Sequence, residues 1–306
     1  DGGMEYPMAT LLIGSGLGTV FHEWMHSWYQ MMLGTNESMY PWMDEGFTSY
    51  AEDIVSKFYN NKSSLQGFKD QLIKAPNNKR LAEMIDIVPE NHSGAYISYF
   101  NLAKSGFEEP MTTHSDHYES NYGYSSAAYS KGEVFLEQLG YIVGADVRDK
   151  ILLEYYKQWR FKHPNATDFM RVAEQVSGIQ LDWYKEYWVN TTKTIDYRID
   201  SLWEESGITK IRLRRTGKLP MPVDLQLTFK DGSTEMFYVP LNLMFGNKPN
   251  ENLAQKRELL EEWRWTHPAY VVETKHKLTD IKIVEIDPSK RMADVDRKNN
   301  KLELNW

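Results

Sequence analysis

The sequence contains no cysteine. Disulfides and thiolate metal sites are thereby excluded, and cysteine usage leaves the redox compartment open. No run of 18 apolar residues occurs, so no stretch reads as a membrane-spanning helix. No secretory signal is visible. Positive charge is in deficit, with 35 Lys and Arg against 43 Asp and Glu, a net charge of −8. That balance argues against nucleic acid and anionic membranes as partners, because both are polyanions. Repeats and low-complexity tracts are missing as well. What the chain has in quantity is apolar and aromatic material, 41% hydrophobic with 10 Trp and 19 Tyr. This supports a large packed core and excludes disorder, and 306 residues set a prior of about two domains.

The strongest chemical signal is His22-Glu23-Trp24-Met25-His26, followed after eighteen residues by Glu45. On a helix, two histidines four apart share one face. Two neutral imidazoles at that spacing can hold a Zn²⁺ at ~2.0–2.1 Å, with a carboxylate as third ligand and a fourth position open for water. Glu23, next to His22, can reach that water as general base. A chance HExxH occurs in on the order of 1 in 50 such chains, and a Glu at one preset position lowers that roughly tenfold.

These residues give the chain its resemblance to the gluzincin metallopeptidases, specifically the aminopeptidase N and leukotriene hydrolase family. Two further stretches carry it. Gly2-Gly3-Met4-Glu5 is similar to the family's GxMEN exopeptidase motif, with Tyr6 standing where that motif has Asn. The stretch from Tyr124 to Gly132, containing Tyr129-Ser130-Lys131-Gly132, is similar to its Tyr-x-Lys-Gly motif. The likeness covers residues 1 to about 200.

The resemblance implies a zinc-dependent aminopeptidase acting on peptides, with one Zn²⁺ held by His22, His26 and Glu45. Glu23 then serves as base, and Tyr129 donates to the oxyanion, with Tyr124 lining the same pocket. Glu5, presented by Gly2, Gly3 and Met4, binds the free α-ammonium. Glu52 follows Glu45 by seven residues and returns to the same helix face, where it can fix the tautomer of a zinc-bound His. The rival readings are a zinc endopeptidase or epoxide-hydrolysing relative, and a non-catalytic scaffold of the same fold. The expected fold is α+β, with a thermolysin-like, mostly helical domain over 1–206 and a small immunoglobulin-like β-sandwich over 207–306. The chain opens on a family motif without an initiator Met, so we expect a fragment or processed form. An N-terminal domain normally packed on the catalytic domain would then be missing. The compartment stays open, with an exported location expected ahead of a cytoplasmic one.

Finer expectations follow from pattern. Residues 2–7 read as an edge strand ended by Pro7. A helix from Leu17 to Leu33, closed by Gly34, is apolar nearly all round and should be buried. Further helices are expected at 44–59, 127–139 and 146–161, then two more capped by Thr167 and Asp182. Strands are expected at 223–229, 236–243, 270–274 and 281–286, with Asp231-Gly232 as a hairpin turn. Asp44 should point away from the site. His114-x-x-His117 reads as a polar loop, and His92, His163, His267 and His276 as surface. The sequons at Asn36, Asn61, Asn91, Asn165 and Asn190 are uninformative without a known compartment.

Overall fold

Pro7 and Met8 turn the chain back on itself near its start, pairing β1 (Gly3–Tyr6) antiparallel with β2 (Ala9–Leu12). The computed structural model describes residues 2–305. After this hairpin come α1 (Leu17–Met25) and α2 (Pro41–Asn60), which pack on each other. Next are α3 (Ser64–Lys74), α4 (Lys79–Ile87) and α5 (Ser93–Ser105). The short α6 (Asn121–Ser125) runs through a widened, π-type segment, Ser126–Lys131, into α7 (Gly132–Val143). Then α8 (Ala145–Trp159), α9 (Ala166–Ser177) and α10 (Asp182–Val189) complete the helical part.

Every residue of α7 is buried, including the polar Glu133, Glu137 and Gln138, which find partners inside the fold. It packs against α2, α5 and α8. Asn165, rather than Thr167, caps α9: its side chain accepts from Thr167 N and Asp168 N, and Asp168 answers through the Asn165 N–H. Asp182 is the first residue of α10, not its cap.

The helix expected over 17–33 ends at Met25. In the following segment Tyr29 takes φ −95°, ψ 99° and Gln30 takes φ 110°, so the chain kinks. Nor is the expected stretch buried all round: Leu17 and Trp24 of α1 are 46% and 57% exposed, and Trp28 in the segment after it is 42% exposed. The helix α1 meets α2 on one side and both strands of the hairpin, β1 and β2, on another. Leu11, Leu12 and Ile13 of the hairpin are exposed as well.

The strand-rich part begins at β3 (Tyr197–Glu205), which pairs with β4 (Ile208–Arg215). Ser206 and Gly207, both at positive φ, form the two-residue turn between them. A boundary drawn after 206 therefore passes through this hairpin. β8 (Ala269–Thr274) completes a three-stranded sheet on β4. A five-stranded sheet runs in the order β10 (Lys301–Glu303), β9 (Ile281–Ile286), β5 (Val223–Phe229), β6 (Thr234–Val239), β7 (Arg257–Leu259). All its pairs are antiparallel except β6–β7. The alternating burial of β5 reflects period-2 patterning, one face on the core and the other outward. Buried side chains of both sheets and of the helices form one continuous hydrophobic cluster. The architecture is α+β. Among the described residues no helix is long and apolar enough to cross a membrane.

Candidate active site

Three donor atoms form a nearly equilateral triangle where α1 crosses α2. His22 Nε2 lies 3.0 Å from Glu45 Oε2 and 3.2 Å from His26 Nε2, and His26 Nε2 lies 3.3 Å from Glu45 Oε2. The edge of a tetrahedral site with bonds of ~2.0–2.1 Å is about 3.3–3.4 Å. The triangle therefore fits a zinc-sized cation within a few tenths of an ångström. The donor chemistry agrees, two imidazole nitrogens and one carboxylate oxygen around a position open to the cleft.

The remote nitrogens of both rings are engaged. His22 Nδ1 lies 3.1 Å from Glu52 Oε2. His26 Nδ1 lies 2.8 Å from Asp44 Oδ1 and 3.2 Å from both Thr48 Oγ1 and the Tyr29 carbonyl. Carboxylates on the far nitrogens fix ring orientation and tautomer, leaving both Nε2 atoms to face the centre. Asp44, expected to point elsewhere, is thus turned onto His26. The missed signal is the run Asp44, Thr48, Glu52, four-residue steps that form one stripe of α2 facing α1.

Charge follows this geometry. Burial pushes the Glu45 carboxyl up, but the two imidazoles outweigh it and hold the group at about 2. Burial pushes His22 and His26 down, and their carboxylate partners overturn that, raising them to about 9 and about 11. Asp44, almost wholly enclosed, is pushed up by burial to about 7 against the pull of His26.

Glu23 is buried beside the triangle, and its Oε2 has no hydrogen-bond partner among the described residues. Burial raises its carboxyl above the ordinary value. The hairpin lies directly on it: a Cβ on Gly3 would sit 2.5 Å from Glu23 Oε1, so any larger residue there would displace the Glu23 side chain. Tyr129 comes from the widened segment before α7 and donates to Glu45 Oε1 at 2.6 Å, stacking on the His22 ring. Such one-turn widenings inside helices recur at functional sites. Tyr124 meets Tyr129 edge to face, ring centroids 6.5 Å apart.

A cleft of about 760 Å³ joins these groups to Gly2 and β1, which line its wall from Gly2 to Tyr6. Glu5 stands half-buried there, its carboxylate within 4.8 Å of His26 and Asp44 donor atoms. Tyr6 is largely exposed at the same wall. Thus β1 with Gly2 before it, α1 with its capping His26, α2, α6 and the widened segment bring together every residue singled out from the motifs. Ser115 also lines the cleft, so the loop carrying His114 and His117 forms part of its wall. His92 departs from the surface reading: it is 3% exposed, in a separate cluster with Asp53 and Glu133.

Comparison with known proteins places this geometry in context. Residues 15–188 match the Peptidase family M1 domain. Aminopeptidase M1-D of Oryza sativa subsp. japonica is 24% identical over 285 residues, covering 92% of this chain and 26% of that protein. Aminopeptidase B of Homo sapiens is 27% identical over 201 residues, covering 63% of this chain and 26% of its own length. A leukotriene A-4 hydrolase homolog of Botryotinia fuckeliana is 27% identical over 180 residues, covering 55% and 24%. The chain therefore spans about a quarter of the length of these relatives. Among solved structures, Legionella pneumophila aminopeptidase A in complex with aspartic acid shares the fold, with TM-score 0.56 at 11% identity. That match covers 96% of this chain and 30% of the other.

Proposed function

The chain belongs to peptidase family M1, and from that premise we propose that it is the catalytic part of a zinc-dependent aminopeptidase. The observation that carries the proposal is the triangle of His22, His26 and Glu45 donors beside a buried carboxylate with an unpartnered oxygen. Zinc held by these three residues would polarise a peptide carbonyl and bring the pKa of a water to ~7. Glu23 accepts the proton of the attacking water and delivers it to the leaving amine. Burial raises its carboxyl above the ordinary value, which makes it a stronger base toward that proton. Tyr129 holds a phenol O–H at the rim of the triangle, where the oxyanion develops. Glu5 pairs with the free α-ammonium of a peptide lying along β1, a charge-assisted contact that sets one residue between the chain end and the reacting carbonyl. Asp44 and Glu52 hold the two imidazoles.

The test uses paired substrates and one variant. Aminoacyl substrates with a free amine are hydrolysed and their N-acetylated forms are not, and chelation abolishes turnover until zinc is restored. Glu23→Gln keeps zinc and loses at least 10²-fold in kcat, the low end for a general base. Equal hydrolysis of free and acetylated substrates removes the Glu5 role and favours an endopeptidase. A Glu23→Gln protein with full activity removes the mechanism.

A further inference from the structure

Behind the donor triangle lies a second knot of titratable side chains that no step above uses. His92, at the start of α5, has Glu133 Oε1 at 2.8 Å and Asp53 Oδ2 at 3.5 Å from its Nδ1. The three donor atoms lie within 4.8 Å of one another. They arrive from α2, the N-terminus of α5 and α7, so the convergence is tertiary. Asp53 is oriented by accepting the His92 backbone N–H at 3.0 Å. On the far side of the ring, Nε2 faces Glu137 at 3.7 Å, and Arg148 holds Glu137 in place. Tyr50 stacks flat on the imidazole, 4.5 Å between centroids and 9° between planes. The Arg148 guanidinium in turn lies 5.1 Å from the Tyr50 ring centre. The ring is therefore clamped with one nitrogen toward two carboxylates and the other toward a third. Metal-bound histidines likewise keep a carboxylate on the side of the remote nitrogen, here Glu137 at 3.7 Å, close enough for charge pairing though beyond hydrogen-bond distance.

The surroundings are short of positive charge. Three carboxylates meet one imidazole and Arg148, and burial pushes the Glu133 carboxyl up to about 7 against the pull of His92. A groove of about 270 Å³, lined by Glu52, Asp53, Ser56, Ser64 and Glu133, opens this cluster to solvent. The separations from Nδ1, 2.8 and 3.5 Å, bracket the ~3.3–3.4 Å edge of a zinc site.

We propose that Asp53, His92 and Glu133 form a second divalent-cation site, separate from His22, His26 and Glu45, that takes a zinc-type ion. One nitrogen and two carboxylate oxygens suit Zn²⁺ and its first-row neighbours, with the groove side left to water. The ion joins α2, α5 and α7, and on α2 it lies one residue from Glu52, which holds His22. It therefore stiffens the frame of the active site rather than taking part in the chemistry. The competing occupant is a proton, an imidazolium bridging the same carboxylates.

Metal content and thermal unfolding of the full chain, equilibrated with zinc and exchanged into metal-free buffer, separate the two. The wild type is expected to carry two zinc ions and each variant one, whether His22→Ala with His26→Ala, Glu133→Gln or Asp53→Asn. Asp53 borders the groove, so Asp53→Asn serves if Glu133→Gln does not fold. In the double histidine variant the remaining ion raises Tm, and adding Asp53→Asn abolishes that rise. A single ion that vanishes with His22 and His26 overturns this site and leaves the catalytic reading standing. A single ion that survives their loss but not Asp53→Asn supports this site and overturns the catalytic one. A second ion indifferent to both Asp53→Asn and Glu133→Gln is adventitious and overturns the proposal, and a wild type with no ion overturns both readings.

Discussion

At the residue scale, the imidazole nitrogen that faces away from the donor triangle matters as much as the one facing it. Asp44 meets His26 Nδ1 at 2.8 Å in a nearly sealed position. Loss of such a partner typically lowers metal affinity 10–100-fold. Asp44→Ala should therefore weaken zinc binding by about that factor, read by competition with a chelator. Asp44→Asn, which keeps an acceptor oxygen, should recover part of it. Unchanged affinity in the alanine variant would leave the ring to Thr48 and the Tyr29 carbonyl. Tyr129 touches Glu45 through Oε1, whereas the donor of the triangle is Oε2. Tyr129→Phe should accordingly keep its zinc while kcat falls roughly 10²–10³-fold, the usual worth of one oxyanion donor. Retention of activity within a few-fold would remove Tyr129 from the chemistry.

Between elements, the decisive event is the crossing of α2 with the start of α7. A Cβ on Gly132 would lie 2.9 Å from both Gly46 Cα and the Trp42 carbonyl oxygen, backbone atoms that cannot swing aside. That approach brings Tyr129 against Glu45. Gly132→Ala should destabilise the fold by about 1–3 kcal/mol through overpacking, measured by denaturant unfolding. It should also depress kcat by moving Tyr129 outward. An unshifted unfolding midpoint would show that the crossing has slack. The same scale explains why the helix expected to reach Leu33 stops early. The Tyr29 carbonyl turns to His26 Nδ1 at 3.2 Å instead of continuing the helical ladder. The Phe161 N–H then donates to the Met32 carbonyl at 2.6 Å, drawing the segment toward the end of α8. Hydrophobic periodicity registers neither contact.

Across the whole molecule, the helical and strand-rich parts are joined by polar contacts within the shared core and around it. Gln138 of α7 donates to the Arg291 carbonyl at 2.6 Å and accepts from Ala293 N at 2.9 Å. Glu251 accepts from Ala145 N at the start of α8 and from both terminal nitrogens of Arg291. Burial pushes the Glu251 carboxyl up, but Arg291 and Lys248 outweigh it and hold it below the ordinary value. A depressed folded pKa stabilises above the unfolded value of ~4.3, and that contribution is lost as pH falls through the folded one. Glu251→Gln should therefore melt below the wild type at neutral pH, with the gap closing under about pH 4. A gap that does not change with pH would show that the carboxylate charge is not what joins the two parts.

The motif residues were legible because their logic is local: a four-residue helical step aligns two imidazoles whatever surrounds them. The strands β5, β6, β8 and β9 were legible because period-2 patterning is written along the chain, whereas the three-residue β7 is too short to show it. The β3–β4 hairpin was missed because its turn, Ser206-Gly207, read as a break between domains. By itself the sequence determined which side chains can donate to a metal, take a proton or meet an ammonium. Only the tertiary structure decided which carboxylate serves which ring, sending Asp44 and Glu52 to His26 and His22 and gathering Asp53 and Glu133 around a buried His92. Those pairings depend on helices meeting across long stretches of chain, at separations set by close packing and the absence of a side chain at Gly46 and Gly132.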